Sequence, residues 1–116
     1  MSKPVGPYSP AVEVDNLVFT SGQIGIVDGE IVDGGVETEL RQAFANLRTV
    51  LHSAGADLTD VVKTTVFLID MDQYSLMNDI YVEEFDGHRP ARSAVAVAAL
   101  PLGAAVEIEA IAKVSS

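Results

Sequence analysis

Val36, Leu40, Ala43, Phe44, Leu47, Val50, Leu51 and Ala54 follow steps of three and four, and such an apolar stripe predicts an amphipathic helix. Glu37 and Glu39 lie in its first turn, where the helix dipole favours anions, and Gly55 is placed to end it as a left-handed cap. Arg41 and Arg48 fall on the opposite face, where solvation is the expectation. A weaker pattern predicts a second helix from about Asp72 to Phe85, with Met77, Ile80, Tyr81 and Phe85 facing inward.

The remaining apolar runs read as strands. Leu17 to Thr20 is one, ending at Ser21-Gly22. Asp28-Gly29 lies between two short β-branched pieces, Ile24 to Val27 and Glu30 to Val32, and an Asp-Gly pair so placed signals a hairpin. Val61 to Ile69 is rich in Val, Thr and Phe and is read as a strand. Ser93 to Ala98 and Ala105 to Lys113 give two last strands, joined by a loop that holds Pro101 and Gly103. The order predicts an α+β fold, a mixed sheet with two helices packed on one face. No repeat, linker or low-complexity run interrupts it, so residues 1–116 are read as one domain.

In the final strand Val106, Ile108, Ala110 and Ala112 share one face, and Glu107, Glu109 and Ile111 share the other. Two helices cover only one side of a sheet. The other side, still largely apolar, is expected to meet a second copy of the chain, with Glu107 and Glu109 near the seam.

Composition narrows the function. Seven basic against 17 acidic residues leave a net charge of −10, which repels phosphate backbones and disfavours a nucleic-acid partner. The absence of cysteine excludes disulfides, thiolate metal sites and cysteine nucleophiles, and suits a reducing compartment. Met1 to Gly6 contains no signal-like apolar segment and no run is long enough to span a membrane, so the expectation is a cytoplasmic protein. Phosphate-loop, dinucleotide, Gly-x-Ser-x-Gly and His-Glu-x-x-His motifs are absent from the sequence. His52 suits a helix C-terminus, His88 is expected to be exposed, and Glu83, Glu84 and Asp86 read as a solvated helix end.

Arg92 stands out. It is one of four arginines and heads a segment, Ala91 to Val97, that is otherwise free of charge. A guanidinium entering a sheet needs an anion, because an unpaired buried charge is costly. Spacing favours an internal salt bridge to Glu107 or Glu109; the alternative is a ligand carboxylate, which the planar fork binds in bidentate fashion. Glu107 is either that static counter-ion or a general acid/base whose pKa is raised by partial burial beside Glu109. Tyr8, in Gly6-Pro7-Tyr8-Ser9, and Ser21-Gly22 are read either as structural turns or as pocket walls.

Five segments taken together resemble the RidA/YjgF family: Gly6 to Ser9, Phe19 to Ile24, Val62 to Leu68, Pro90 to Ser93 and Val106 to Ala112. They run in order across nearly the whole chain. The resemblance implies a chorismate-mutase-like α+β domain in a homotrimer, with pockets between subunits. It implies hydrolysis of reactive 2-enamino and 2-imino acids, such as 2-aminoacrylate and 2-iminopropanoate, to 2-keto acids and ammonia, without cofactor or metal. By position, Arg92 would bind the substrate carboxylate and Glu107 would handle the hydrolytic water. Tyr8, Ser21, Gly22 and Asn78 would line the pocket, and the backbone N–H of Ala94 would assist Arg92. On this reading Arg92 binds ligand. Two departures are visible: Ala94 stands where some active members carry cysteine, and Arg89 where an aromatic is frequent. A non-catalytic binder of small keto or imino acids is the alternative. An RNA-directed role, attributed to some members, conflicts with the charge.

Overall fold

The structure, a computed structural model, describes residues 6–114; Met1 to Val5, part of the stretch read above for a signal segment, lie outside the described residues. The apolar stripe forms α1 (Gly35–Ser53), whose Val36, Leu40, Ala43, Phe44, Leu47, Val50 and Leu51 are all buried. Ala54 caps it and Gly55 follows at φ 80°, a backbone region that glycine enters without steric cost. The second helix, α2, spans Tyr74–Phe85 behind a short 3-10 turn at Met71–Gln73. Met77, Ile80, Tyr81 and Phe85 face the core as expected. No helix of the described residues is long and apolar enough to cross a membrane.

Seven strands form among the described residues: β1 (Ala11–Val14), β2 (Leu17–Thr20), β3 (Ile26–Val27), β4 (Glu30–Ile31), β5 (Val61–Leu68), β6 (Ala91–Ala96) and β7 (Val106–Lys113). The main sheet runs β1-β2-β7-β5-β6; only β5 and β6 pair in parallel, across the α2 crossover. The strand β1 has no counterpart in the sequence reading. It pairs with β2 through a tight turn in which Asp15 takes φ 54°. The hairpin at Asp28-Gly29 forms as read, with φ 51° and 83°, but as a separate small sheet of β3 and β4.

Both helices pack on one face, over Val18, Val66, Leu68, Val106, Ile108, Ala110 and Ala112. A bulge between Val61 and Lys63 returns Val61 to that face while Val62 turns outward. The opposite face carries Val12, Val14, Phe19 and Val95, all more than a third exposed, beside Phe67, Ile111, Glu107 and Glu109.

Several expected surface charges are engaged instead. Arg41 reaches Glu37, Glu83 and Glu84, and Arg48 reaches Glu84 at 2.7 Å, so the arginines, still more than a third exposed, also tie the acidic end of α2 to α1. Packing of α1 against α2 brings these oppositely charged stretches side by side. His88 is half-buried, its Nε2 2.6 Å from the Val61 carbonyl and its ring against Phe85. Glu39, read as a dipole-favoured anion, is buried and accepts the backbone N–H of Ala105 at 2.8 Å.

One buried polar pair crosses the layers: the hydroxyls of Thr64 on β5 and Tyr81 on α2 lie 2.6 Å apart. Tyr81→Phe, which strands the Thr64 hydroxyl, is expected to cost about 1–3 kcal/mol, and adding Thr64→Val to recover most of the loss. Urea denaturation at fixed protein concentration measures both.

Candidate active site

The sheet register separates the two charged residues of interest. Arg92 pairs with Thr64, and Thr64 with Ala110, so Arg92 projects to the helix-covered face at the β6 edge. Glu107 pairs with Phe67 and projects to the open face. An internal salt bridge between them, favoured by spacing, is therefore not made. Glu109 shares the open face and is excluded for the same reason.

Arg92 meets α2 instead. Its Nη1 donates to Asn78 Oδ1 at 2.7 Å and its Nη2 to Tyr74 Oη at 2.9 Å. The guanidinium carbon lies 4.9 Å from the Tyr81 ring centroid and 5.5 Å from that of Tyr74. Both distances suit cation–π attraction. Burial raises the Tyr81 pKa, which keeps the phenol neutral and its ring face available. Among the described residues Arg92 has no carboxylate partner, in a chain with 17 acidic residues. Its polar partners are neutral.

These partners also turn donors outward. A guanidinium only donates, so Asn78 must present its carbonyl oxygen to Arg92, leaving its NH₂ group to face elsewhere. The Ala94 backbone adds another donor. Val97 N–H donates to the Leu68 carbonyl, and strand alternation then points the N–H groups of Ser93 and Val95 toward β5 and that of Ala94 to the unpaired edge. A cluster of N–H groups around a half-buried cation is chemically suited to receive a carboxylate.

The second group gathers at a break in β2. After Thr20 the chain leaves β7 and rejoins it at Gln23, whose N–H and carbonyl both bond Ile108, at 2.7 and 3.0 Å. Thr20 Oγ1 covers the gap by accepting the Ala110 N–H. Ser21 and Gly22 are thereby looped out beside Glu107. Ser21 Oγ donates to the Ser9 carbonyl at 2.6 Å, which ties the Tyr8 turn to the same spot. Gly6, Tyr8, Ser21, Gly22, Pro101 and Glu107 line an open cleft of about 320 Å³. Gly22 leaves room for the carboxylate: a Cβ there would overlap it and push the Glu107 side chain aside. Burial, and then the charge of Glu109, raises the Glu107 pKa, as the sequence reading expects.

The structure thus brings Tyr8, Ser21, Gly22 and Glu107 into one group, and Arg92, Asn78 and Ala94 into another on the far side of the sheet. Tyr74 and the ring of Tyr81 belong to the second group and were not assigned to it from sequence. The signal was present: Tyr74, Asn78 and Tyr81 are spaced by four and three, one face of a helix. Arg89 is exposed, bonding only the His88 carbonyl at 3.3 Å.

Comparison with known proteins adds a third line. A family model described as Endoribonuclease L-PSP matches residues 1–114. Over 110 residues the chain is 52% identical to the 2-iminobutanoate/2-iminopropanoate deaminase of Mus musculus, covering 93% of this chain and 82% of that one. The crystal structure of the yeast protein YEO7 matches with a TM-score of 0.94 at 41% identity, over 97% of this chain and 91% of that one. That of RidA from the Antarctic bacterium Psychrobacter sp. PAMC 21119 matches at 0.93 and 40% identity, over 97% and 92%.

The raised Glu107 pKa has a definite consequence for stability. The unfolded chain releases this proton at lower pH than the folded one, so folding loses stability as pH rises through the folded value. Glu107→Gln lacks that loss. Its stability relative to wild type is expected to be more favourable at pH 7 than at pH 4, as read by urea midpoints at each pH.

Proposed function

The chain belongs to the RidA/YjgF (endoribonuclease L-PSP) family, and from that premise we propose that it hydrolyses reactive 2-imino and 2-enamino acids to 2-keto acids and ammonia. The observation that carries this reading is Arg92, a cation without a carboxylate partner among the described residues, held by neutral groups and ringed by spare donors. Its relatives named 2-iminobutanoate/2-iminopropanoate deaminase support the substrate class, a small imino acid such as 2-iminobutanoate or 2-iminopropanoate.

An imine carbon is already electrophilic, so the protein's task is mainly to position. Arg92, Asn78 and the Ala94 N–H hold the carboxylate. Glu107, with its raised pKa, accepts a proton from water as the water oxygen attacks the imine carbon, and returns that proton to the imine nitrogen to give the carbinolamine. The same group then shuttles the proton from the new hydroxyl as the C–N bond breaks and ammonia leaves. Tyr8, Ser21 and Gly22 wall the water side. The site needs no cofactor for these steps.

Opposite faces of one sheet cannot supply both halves to one small molecule. The complete site is therefore built between copies, one giving Arg92 and Asn78, its neighbour Glu107 and Tyr8. The exposed apolar face around Phe19, Val95 and Ile111 supports such an assembly, which we take to be a homotrimer of one RidA-like domain spanning 1–116. The family model's description invokes RNA cleavage, but a net charge of −10 disfavours a phosphate backbone. The cysteine-free composition supports action in the cytoplasm.

Two measurements test this. With 2-iminobutanoate generated in situ and trapped by semicarbazide, wild type is expected to suppress the semicarbazone, and Arg92→Ala and Glu107→Gln each to lose roughly 10²–10⁴ of kcat/KM. Wild type no faster than Arg92→Ala would overturn the assignment. Unfolding and refolding an equal mixture of the two inactive variants should restore about a quarter of wild-type activity, because random assembly pairs intact halves that often. No recovery in mixed oligomers would mean that one subunit supplies both residues.

A further inference from the structure

The Tyr74 hydroxyl has no role in the steps above. Guanidinium nitrogens cannot accept, so the 2.9 Å contact fixes Tyr74 Oη as the acceptor of Arg92 Nη2. A phenol carries one proton, and that proton has no acceptor among the described residues. It is left to donate, from an oxygen already hydrogen-bonded to the cation. The ring is held as well, with its centroid 5.5 Å from the Arg92 carbon, and Tyr74 stands one turn before Asn78 on α2. The O–H is therefore presented beside Arg92, where a carboxylate drawn by the guanidinium would place an oxygen, and more than a third of the residue is open to incoming ligand.

Building on the deaminase reading, we propose that Tyr74 is a further substrate-binding residue of the carboxylate subsite, its O–H donating to the substrate carboxylate alongside Arg92. Phenylalanine at this position would keep the ring under the guanidinium and remove only the donor. The hydroxyl also restrains Nη2, so the fork meets the carboxylate in a set orientation.

The test uses the full-length protein, with 2-oxobutanoate as a stable keto-acid probe and 2-iminobutanoate for turnover. Tyr74→Phe is expected to weaken calorimetric binding of 2-oxobutanoate about tenfold and to raise KM by a similar factor, the loss falling in KM rather than kcat. A purely structural role would not produce that split. Binding within about twofold of wild type, while Arg92→Ala abolishes it, overturns the assignment of Tyr74 and leaves the deaminase reading standing. A fall in kcat with KM and binding unchanged also overturns it. Failure of wild type itself to bind 2-oxobutanoate and to turn over imine overturns the deaminase reading, and this proposal with it.

Discussion

A guanidinium drawn half out of water must find compensation, and the way Arg92 finds it governs the rest of the molecule. The chain has acid in excess, yet none of it is spent here. Asn78, Tyr74 and two aromatic faces hold the fork by neutral contacts, each weaker than an ion pair. Holding a cation this way keeps its geometry while leaving its charge unanswered. On the proposed function, an anion arriving from outside would complete the balance, and the neutral contacts would have set the fork's geometry beforehand.

The same economy of placement shapes the Glu107 side. A strand break between Thr20 and Gln23 opens room at the sheet surface, and Gly22 leaves the volume that the carboxylate occupies. Glu107 is then desolvated enough for its proton to be held more tightly, with Glu109 on the same face adding to the effect. A carboxyl tuned upward is a better proton shuttle near neutral pH than a solvated one. Neither feature is a defect of the sheet; both follow from one residue pair that cannot continue the ladder.

Much of the architecture was legible from periodicity. The stripe from Val36 to Leu51, the Asp28-Gly29 turn and the alternation in Val106 to Ala112 each report a local rule, and local rules carry over when burial agrees with them. The strand β1 was missed because Ala11–Val14 is an edge strand in which Val12, Glu13 and Val14 are exposed, so burial writes no alternating pattern into it. The ion pairs of Arg41 and Arg48 were not legible because helix periodicity says which face a residue occupies, not what stands opposite. Only the docking of α2 brings Glu84 within reach of both.

By itself the sequence determined most of the elements and the two faces of the last strand, singled out Arg92 and Glu107, and, through its resemblance, indicated the family. Tertiary structure decided what these residues face. Two positions fifteen apart on neighbouring runs look like partners along a chain, but pairing register sets their side, and a shift of one residue reverses it. That register is set by the pairing of β5 with β6 on one side and with β7 on the other, both long-range matters of packing. That is why the sequence favoured a salt bridge, and why the fold instead holds the two charges on opposite sides of one sheet.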